Sequence, residues 1–375
     1  MKLALVCRPF SFHGGVETAT SGMVNALIRH GGHEVHLLTT AGQFPAPGVS
    51  VHRLPVLDQP SVLRQLSFAL AARRATRSGG FDLVQSHERV LAQDIYRAGE
   101  GSHRAYLRAM GRSGEVQVNP QHRLLLYLER RIFTLQSARH IVAIASRGRD
   151  EIRALYGTPP ERIGAVYNGV DLERFQPDNR KRWRQDMRSQ LGIPAEAWLV
   201  AFVGSGFERK GLGPLLQAVA GLRDRRAHVF VAGKGKTETY REMAARLGIA
   251  AAVTWSAPRP DVERLYAAAD VVALPARYEP FGNVHLEALA SGVPVLTSAV
   301  AGGAEAVRDG VSGAVVASAT ADDIARGLAA LRDHDAARLA QAARAAAEPF
   351  TYEAQVEALE KIYRLLVDGR ASQPE

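Results

Sequence analysis

The sequence holds a single cysteine, Cys7, among 375 residues. One cysteine excludes an internal disulfide, and its place inside the first apolar run marks it as a small buried hydrophobe. A reducing compartment, the cytoplasm, is therefore expected. No apolar run approaches the ~20 residues a membrane-spanning helix needs. The opening, Met1 to Pro9, is interrupted by Lys2, Arg8 and Pro9 too early for a secretory signal. There is no Cys/His finger, no aromatic-rich strand pair and no basic tail, so nucleic acid is not an expected partner. Acidic charge is also short. Thirty-eight Asp and Glu face 47 Lys and Arg, a net charge of +9. That excess calls for an anionic partner, such as anionic lipid or a phosphorylated glycan.

What is present is a regular alternation of short β-rich runs with helical ones. The length suits two domains. In the first half, strands are expected over 3–7, 34–40, 51–57, 81–86, 94–98, 140–146 and 163–167. Helices are expected over 15–29, 62–78 and 147–156. A polar stretch, 171–182, reads as a domain boundary. The alternation then restarts, with strands over 198–204, 228–232, 253–256, 271–274, 293–297 and 314–316. Helices are expected over 211–223, 239–247, 320–332, 336–347 and 352–366. Such alternation means parallel sheets covered on both faces. The expected architecture is α/β: two doubly wound, Rossmann-like domains (1–172 and 183–350) with an interdomain cleft, and a tail, 351–375, returning to the first domain. In such sheets ligands bind at the carboxyl ends of strands, where the strand order reverses.

The loops at those ends carry the chemistry. Glu279 and Glu287 are eight residues apart, one in the Glu279-Pro-Phe-Gly turn and the other inside a helix that starts near Asn283. A helix start offers free N–H groups and a positive dipole end, which suits phosphate. The plain alternative is dipole and solubility chemistry. The loop Val203-Gly-Ser-Gly-Phe-Glu-Arg-Lys-Gly211 brings Arg209 and Lys210 to the start of another helix, a candidate pyrophosphate site. Gly14 and Gly15 sit between the first strand and first helix, without the dinucleotide-binding spacing. Ala301-Gly-Gly-Ala-Glu305 is a further glycine-rich strand-end loop. Ser86-His-Glu-Arg89 and Arg97-Ala-Gly-Glu-Gly-Ser-His103 follow apolar runs in the first half, and a His or carboxylate there (His87, Glu88, Glu100 or His103) could orient an acceptor or stabilise a cationic sugar; a lone His at a strand end is also commonly structural. Segment 103–131 mixes six arginines with Tyr and Leu. It reads equally as a helix packed by its Leu side and as a surface for anionic membrane.

Glu279-Pro-Phe-Gly-Asn-Val-His-Leu-Glu287 resembles the E-x7-E motif of the retaining glycosyltransferases of family 4, which have the GT-B fold. His13-Gly-Gly-Val-Glu17, Tyr167-Asn-Gly-Val-Asp171 and the 203–211 loop resemble other segments of that family, so the likeness covers nearly the whole chain. The wording of 203–211 is closest to the lipopolysaccharide core glucosyltransferases acting on heptose. The resemblance implies a retaining, metal-independent hexosyltransferase. Its donor would be a UDP-sugar, UDP-glucose foremost, and its acceptor a lipid-linked glycan. It would be peripheral on the inner face of the membrane, through 103–131, and need no cofactor. Glu279 would hold the donor sugar, helped by Phe281, Gly282 and Asn283. Glu287 would hold the ribose. Arg209 and Lys210, with Gly204 and Ser205, would neutralise the departing diphosphate. Gly14 and Gly15 would approach the diphosphate or acceptor, and Gly302 and Glu305 would lie near the donor. Glu100 would take the place of the family's first-domain His, with His103 as the other candidate. A nucleotide-sugar epimerase, or a cell-envelope transferase with another donor, is the competing expectation.

Overall fold

The computed structural model describes residues 1–9, 15–40, 48–57 and 59–371. The chain divides into two compact units. One comprises Met1–Gly169 and Tyr352–Glu375, the other Val170–Thr351.

In the first unit the chain runs β1 (Lys2–Val6), α1 (Gly15–His30), β2 (Glu34–Thr39), β3 (Val49–Arg53), α2 (Ser61–Ser78), β4 (Leu83–Ser86) and β5 (Ile95–Ala98). There follow α3 (His103–Ala109), α4 (Pro120–Phe133), β6 (His140–Ala143), α5 (Ser146–Tyr156) and β7 (Ile163–Ala165). All seven strands are parallel, in the order β3-β2-β1-β4-β5-β6-β7. The order reverses between β1 and β4, where a crevice must open at the strands' carboxyl ends. Leu3 and Leu5 of β1 pack with Met23, Val24 and Leu27 of α1. The basic segment 103–131 is not one helix. Asn119 accepts from the amides of Gln121 and His122, and Pro120 follows it, so a new helix, α4, is capped there.

The second unit begins with α6 (Asp178–Gln190), β8 (Trp198–Val203), α7 (Leu212–Gly221), β9 (Ala227–Ala232), α8 (Thr237–Arg246) and β10 (Val253–Ser256). It continues with α9 (Val262–Ala268), β11 (Val271–Leu274), α10 (Val284–Ala290), β12 (Val295–Ser298), β13 (Gly313–Val316), α11 (Ala321–Asp333) and α12 (Ala336–Ala347). Its six parallel strands run β10-β9-β8-β11-β12-β13, so the order reverses between β8 and β11. The last helix, α13 (Tyr352–Ala371), belongs to the first unit. It buries Val356, Leu359, Tyr363 and Leu366, at helical spacing, in the core that contains α1.

The polar stretch after residue 171 is ordered. Asp171 accepts from the amides of Glu173 and Arg174, and α6 starts at Asp178. Arg180, Arg184 and Arg188 recur at intervals of four and so share one side of α6. All three guanidiniums converge on Asp270, at 2.9, 2.7 and 2.6 Å. Arg188 also donates to the carbonyls of Ala268 and Ala197, tying α6 to the end of α9 and the approach to β8. The polar stretch read as a boundary thus leads into a helix whose arginines form a ladder on a carboxylate. Asp270→Ala would leave the buried Arg188 without its counter-ion. The expected cost is about 3–5 kcal/mol of stability, read from urea unfolding; a loss under 1 kcal/mol would mean the ladder is only a surface contact.

Candidate functional site

The loops that follow β8 and β11, the two strands beside the second unit's reversal, are joined through charge. After Val203 the backbone turns through Gly204 (φ 145°), Gly206 (φ 82°) and Gly211 (φ 80°), conformations that favour glycine. The turn lays the Lys210 stem along Gly204, where a Cβ would come within 2.9 Å of it. Lys210 is 8% exposed. Its ammonium lies 2.5 Å from Glu279 Oε2, and Arg209 donates to the same oxygen at 2.8 Å. Arg209 also donates to the Tyr278 carbonyl, while its own carbonyl accepts from the Arg277 amide. Burial alone would push the Glu279 carboxyl up. The Lys210 ammonium and the Arg209 guanidinium outweigh that and hold it down at about 2.

The loop after β12 completes this wall. The amide of Gly302 donates to the Glu279 carbonyl at 2.9 Å, and that of Gly303 to the Phe281 carbonyl at 2.8 Å. Ser205 accepts from the Lys234 amide at the edge of the site, and Glu305 is exposed on the short 3-10 turn after Gly302. Phe281 is buried, and Gly282 takes a positive φ under the His285 ring. Asn283 stands at the cap position of α10 without a side-chain cap bond. That helix is only seven residues long, so its dipole contributes less than the sequence suggested, and the anion-attracting charge comes from Lys210 and Arg209. Glu287, inside α10, accepts from the Tyr266 hydroxyl at 2.6 Å. Burial raises its carboxyl, with Tyr266, Arg174 and Lys210 pulling the other way.

His285 was not among the residues singled out from sequence; its neighbours in the apolar run of α10 gave no signal of it. Its Nδ1 donates to the Gly282 carbonyl at 2.6 Å, and its Nε2 lies 2.7 Å from the Thr297 hydroxyl. The ring thus pins the turn that carries Phe281 to Asn283. Burial lowers its pKa to about 4. A lowered histidine takes up protons on unfolding. Its contribution is complete above pH 6.5 and lost as pH falls towards 4, a difference on the order of 3 kcal/mol. Glu88 and Glu287, whose carboxyls are raised, act in the opposite sense over part of that window. The expected result is that His285→Asn flattens the fall of the urea midpoint between pH 7 and 4.5. An unchanged slope would count against it.

In the first unit Gly14 lies outside the described residues, and Gly15 opens α1. Glu100 follows β5 and is held by two guanidiniums, Arg8 at 2.5 Å and Arg89 at 2.8 Å. Burial opposes its ionisation, but Arg89 and Arg8 prevail and hold it at about 2. His103 opens α3 with its ring against His122 and Tyr106. Burial and the nearby Arg89 lower it to about 4, so it is neutral at pH 7. His87 is buried between Thr20 and Gln85. Glu129, an acid within the basic segment, is fully buried. It accepts from the Ser102 hydroxyl and the amides of His103 and Arg104, and so caps α3. Glu88 and Arg89, from the strand-end stretch 86–89, and Arg8, which the sequence did not single out, surround Glu100 (Arg8 pairs with Glu88 at 2.8 Å).

The second unit thus presents two cations and a carboxylate at a strand-order reversal, a combination that can hold an anion beside a hydroxylated group. Residues 13–174 match the model described as Glycosyltransferase Family 4, and residues 184–348 that described as Glycosyl transferases group 1. A D-inositol 3-phosphate glycosyltransferase of Saccharomonospora viridis is 32% identical over 94% of this chain and 89% of its own length. Another of the same description, from Corynebacterium aurimucosum, is 38% identical over 60% of this chain, a match spanning 56% of that relative. Among solved structures, WaaG, a glycosyltransferase involved in lipopolysaccharide biosynthesis, superposes with a TM-score of 0.83 at 24% identity, covering 97% of this chain and 99% of its own. Anabaena Alr3699/HepE in complex with UDP-glucose superposes at 0.75 with 20% identity over 96% and 99%. The chain belongs to the group 1, family 4 glycosyltransferases, and its two parallel-sheet units are those of the GT-B fold.

Proposed function

We propose that this glycosyltransferase is a retaining, metal-independent hexosyltransferase, moving glucose from UDP-glucose to a lipid-linked glycan such as a lipopolysaccharide core heptose. The observation that carries the donor side is the convergence of Lys210 and Arg209 on Glu279. As the bond from the sugar's anomeric carbon to the diphosphate breaks, its electron pair leaves with UDP. Negative charge then grows on the β-phosphate. Lys210 and Arg209 stabilise that charge, and Glu279 accepts hydroxyls of the transferred sugar. Glu287 takes the ribose hydroxyls, while Gly204, Ser205, Phe281–Asn283, Gly302 and Glu305 shape the wall. The acceptor oxygen attacks from the leaving-group side, which preserves the anomeric configuration. Residues 1–172 take the acceptor, and Glu100 rather than His103 fills the place of the family's first-domain histidine, the residue directed at the donor sugar.

The name of the Saccharomonospora relative favours a second reading for the acceptor, a phosphorylated polyol such as D-inositol 3-phosphate. Among the described residues no helix is long and apolar enough to cross a membrane. Peripheral binding to the cytoplasmic face rests on 103–131, where Val118 and Tyr127 are exposed among arginines. The deciding experiment is hydrolysis of UDP-glucose, UDP-galactose, UDP-GlcNAc and GDP-mannose in EDTA, followed by transfer to a heptoside and to D-inositol 3-phosphate. UDP-glucose should turn over fastest, to the α-anomer. Preference for GDP-mannose, release of an epimer, or dependence on added metal would overturn the corresponding part.

A further inference from the structure

The first unit has a charged cluster at its own strand-order reversal. Arg8 lies two residues past β1, and Glu88 two residues past β4, the two strands between which the order turns. In open parallel sheets this crevice is where ligands bind. Arg8 bridges Glu88 at 2.8 Å and Glu100 at 2.5 Å, and Arg89 holds the other oxygen of Glu100 at 2.8 Å. Arg89 reaches Glu129 as well, at 3.4 Å. Three carboxylates, Glu88, Glu100 and Glu129, thus share two guanidiniums.

The surplus carboxylate is Glu88. Glu100 is taken on both oxygens, and Glu129 is consumed in capping α3. Glu88, nine-tenths buried, has one ionic partner among the described residues, Arg8, through one oxygen. Burial pushes its carboxyl up to about 7 against the pull of Arg8, with Glu100 adding repulsion and Arg89 opposing it. Cys7 and Tyr96, which also face this charge, are both raised by burial and stay neutral. His87, next in sequence, is turned to Thr20 and Gln85 and is also neutral. Arg8 is 45% exposed at its side chain, so the cluster opens to ligand on that side.

We propose that Arg8 and Glu88 form a subsite for a polyhydroxylated acceptor ring, Glu88 accepting a hydrogen bond from a ring hydroxyl and Arg8 donating to a neighbouring oxygen. The inference rests on the acceptor being a sugar or polyol. A hydroxyl that donates to Glu88 favours the ionised carboxylate, so binding releases a proton and weakens in acid.

The test is saturation-transfer NMR on the full chain with methyl α-D-mannopyranoside, a methyl heptoside and D-inositol 3-phosphate at pH 6 and pH 8. Wild type should bind at least one of them about tenfold more weakly at pH 6 than at pH 8. Glu88→Gln should bind about tenfold more weakly at pH 8 and lose the pH dependence. Glu88→Asp should keep the dependence, and circular dichroism melts show whether either variant is folded. A wild-type affinity that does not change with pH, or binding to none of the three probes, overturns the subsite even if Glu88→Gln fails to fold. Equal affinity in folded Glu88→Gln overturns it too. UDP-glucose binding, measured on wild type in the same samples, reports separately on the donor reading.

Discussion

Lys210→Ala is expected to lower the rate of sugar transfer about 10²- to 10³-fold, with a smaller change in UDP-sugar affinity. The asymmetry follows from where the charge appears. A bound diphosphate already has partners, but the charge that grows as the anomeric bond breaks needs a cation already in place. Removing one such preorganised group costs on the order of 10²–10³ in kcat. Arg209 does not make up the loss, because it already acts on the same departing phosphate, its Nη1 being held by the Tyr278 carbonyl and Glu279. Lys210→Arg should rescue little. The lysine stem passes so close to Gly204 that even a methyl group there would touch it, and a planar guanidinium has no comparable path. Steady-state transfer from UDP-glucose, with donor affinity measured apart from turnover, decides the matter. Activity within tenfold of wild type in Lys210→Ala would reduce the ammonium to a counter-ion that merely keeps Glu279 charged.

The sequence showed the loops but not their wiring. Strand-end position and glycine spacing were enough to pick out Arg209, Lys210 and Glu279 one by one. Their sharing of one carboxylate oxygen depends on β8 lying beside β11, a pairing across about 70 residues of chain that no local pattern encodes. Patterns of period two and 3.6 report which side of an element is buried, and both sheets were legible on that basis. They do not report the partner of a charge. Arg180, Arg184 and Arg188 illustrate this, since a solvated run and a ladder on Asp270 have the same spacing. Glu129 illustrates the converse, because a buried cap looks in sequence like one more surface acid. In the first unit, Glu100 was visible as an acid at a strand end. Glu88 was visible as well, in the strand-end stretch 86–89, but its pairing with Arg8 appeared only once β1 and β4 proved to be neighbours.

Gly211→Ala should be the most damaging glycine substitution in the donor loop, costing about 2–4 kcal/mol and most of the transfer activity. Two independent penalties coincide there. The backbone sits at φ 80°, which costs a residue with a Cβ about 1–2 kcal/mol. The added methyl would also lie 2.0 Å from the Pro275 carbonyl oxygen, which is backbone at the end of β11 and cannot rotate away. Relief requires the loop after β8 to move off the loop after β11. That movement breaks the 2.8 Å bond from the Arg277 amide to the Arg209 carbonyl and withdraws Lys210 from Glu279. Structural and functional damage therefore share one cause. Gly221→Ala is the matched control. It ends α7, takes no positive φ, and has nothing within 4 Å of its would-be methyl. There the lost flexibility of the unfolded chain should stabilise by about 0.4–1 kcal/mol. Thermal melts of both variants, with transfer rates measured well below the melting point, separate the two effects. A Gly211→Ala protein as stable as wild type but inactive would place the role of this glycine in the chemistry rather than in the fit between the loops.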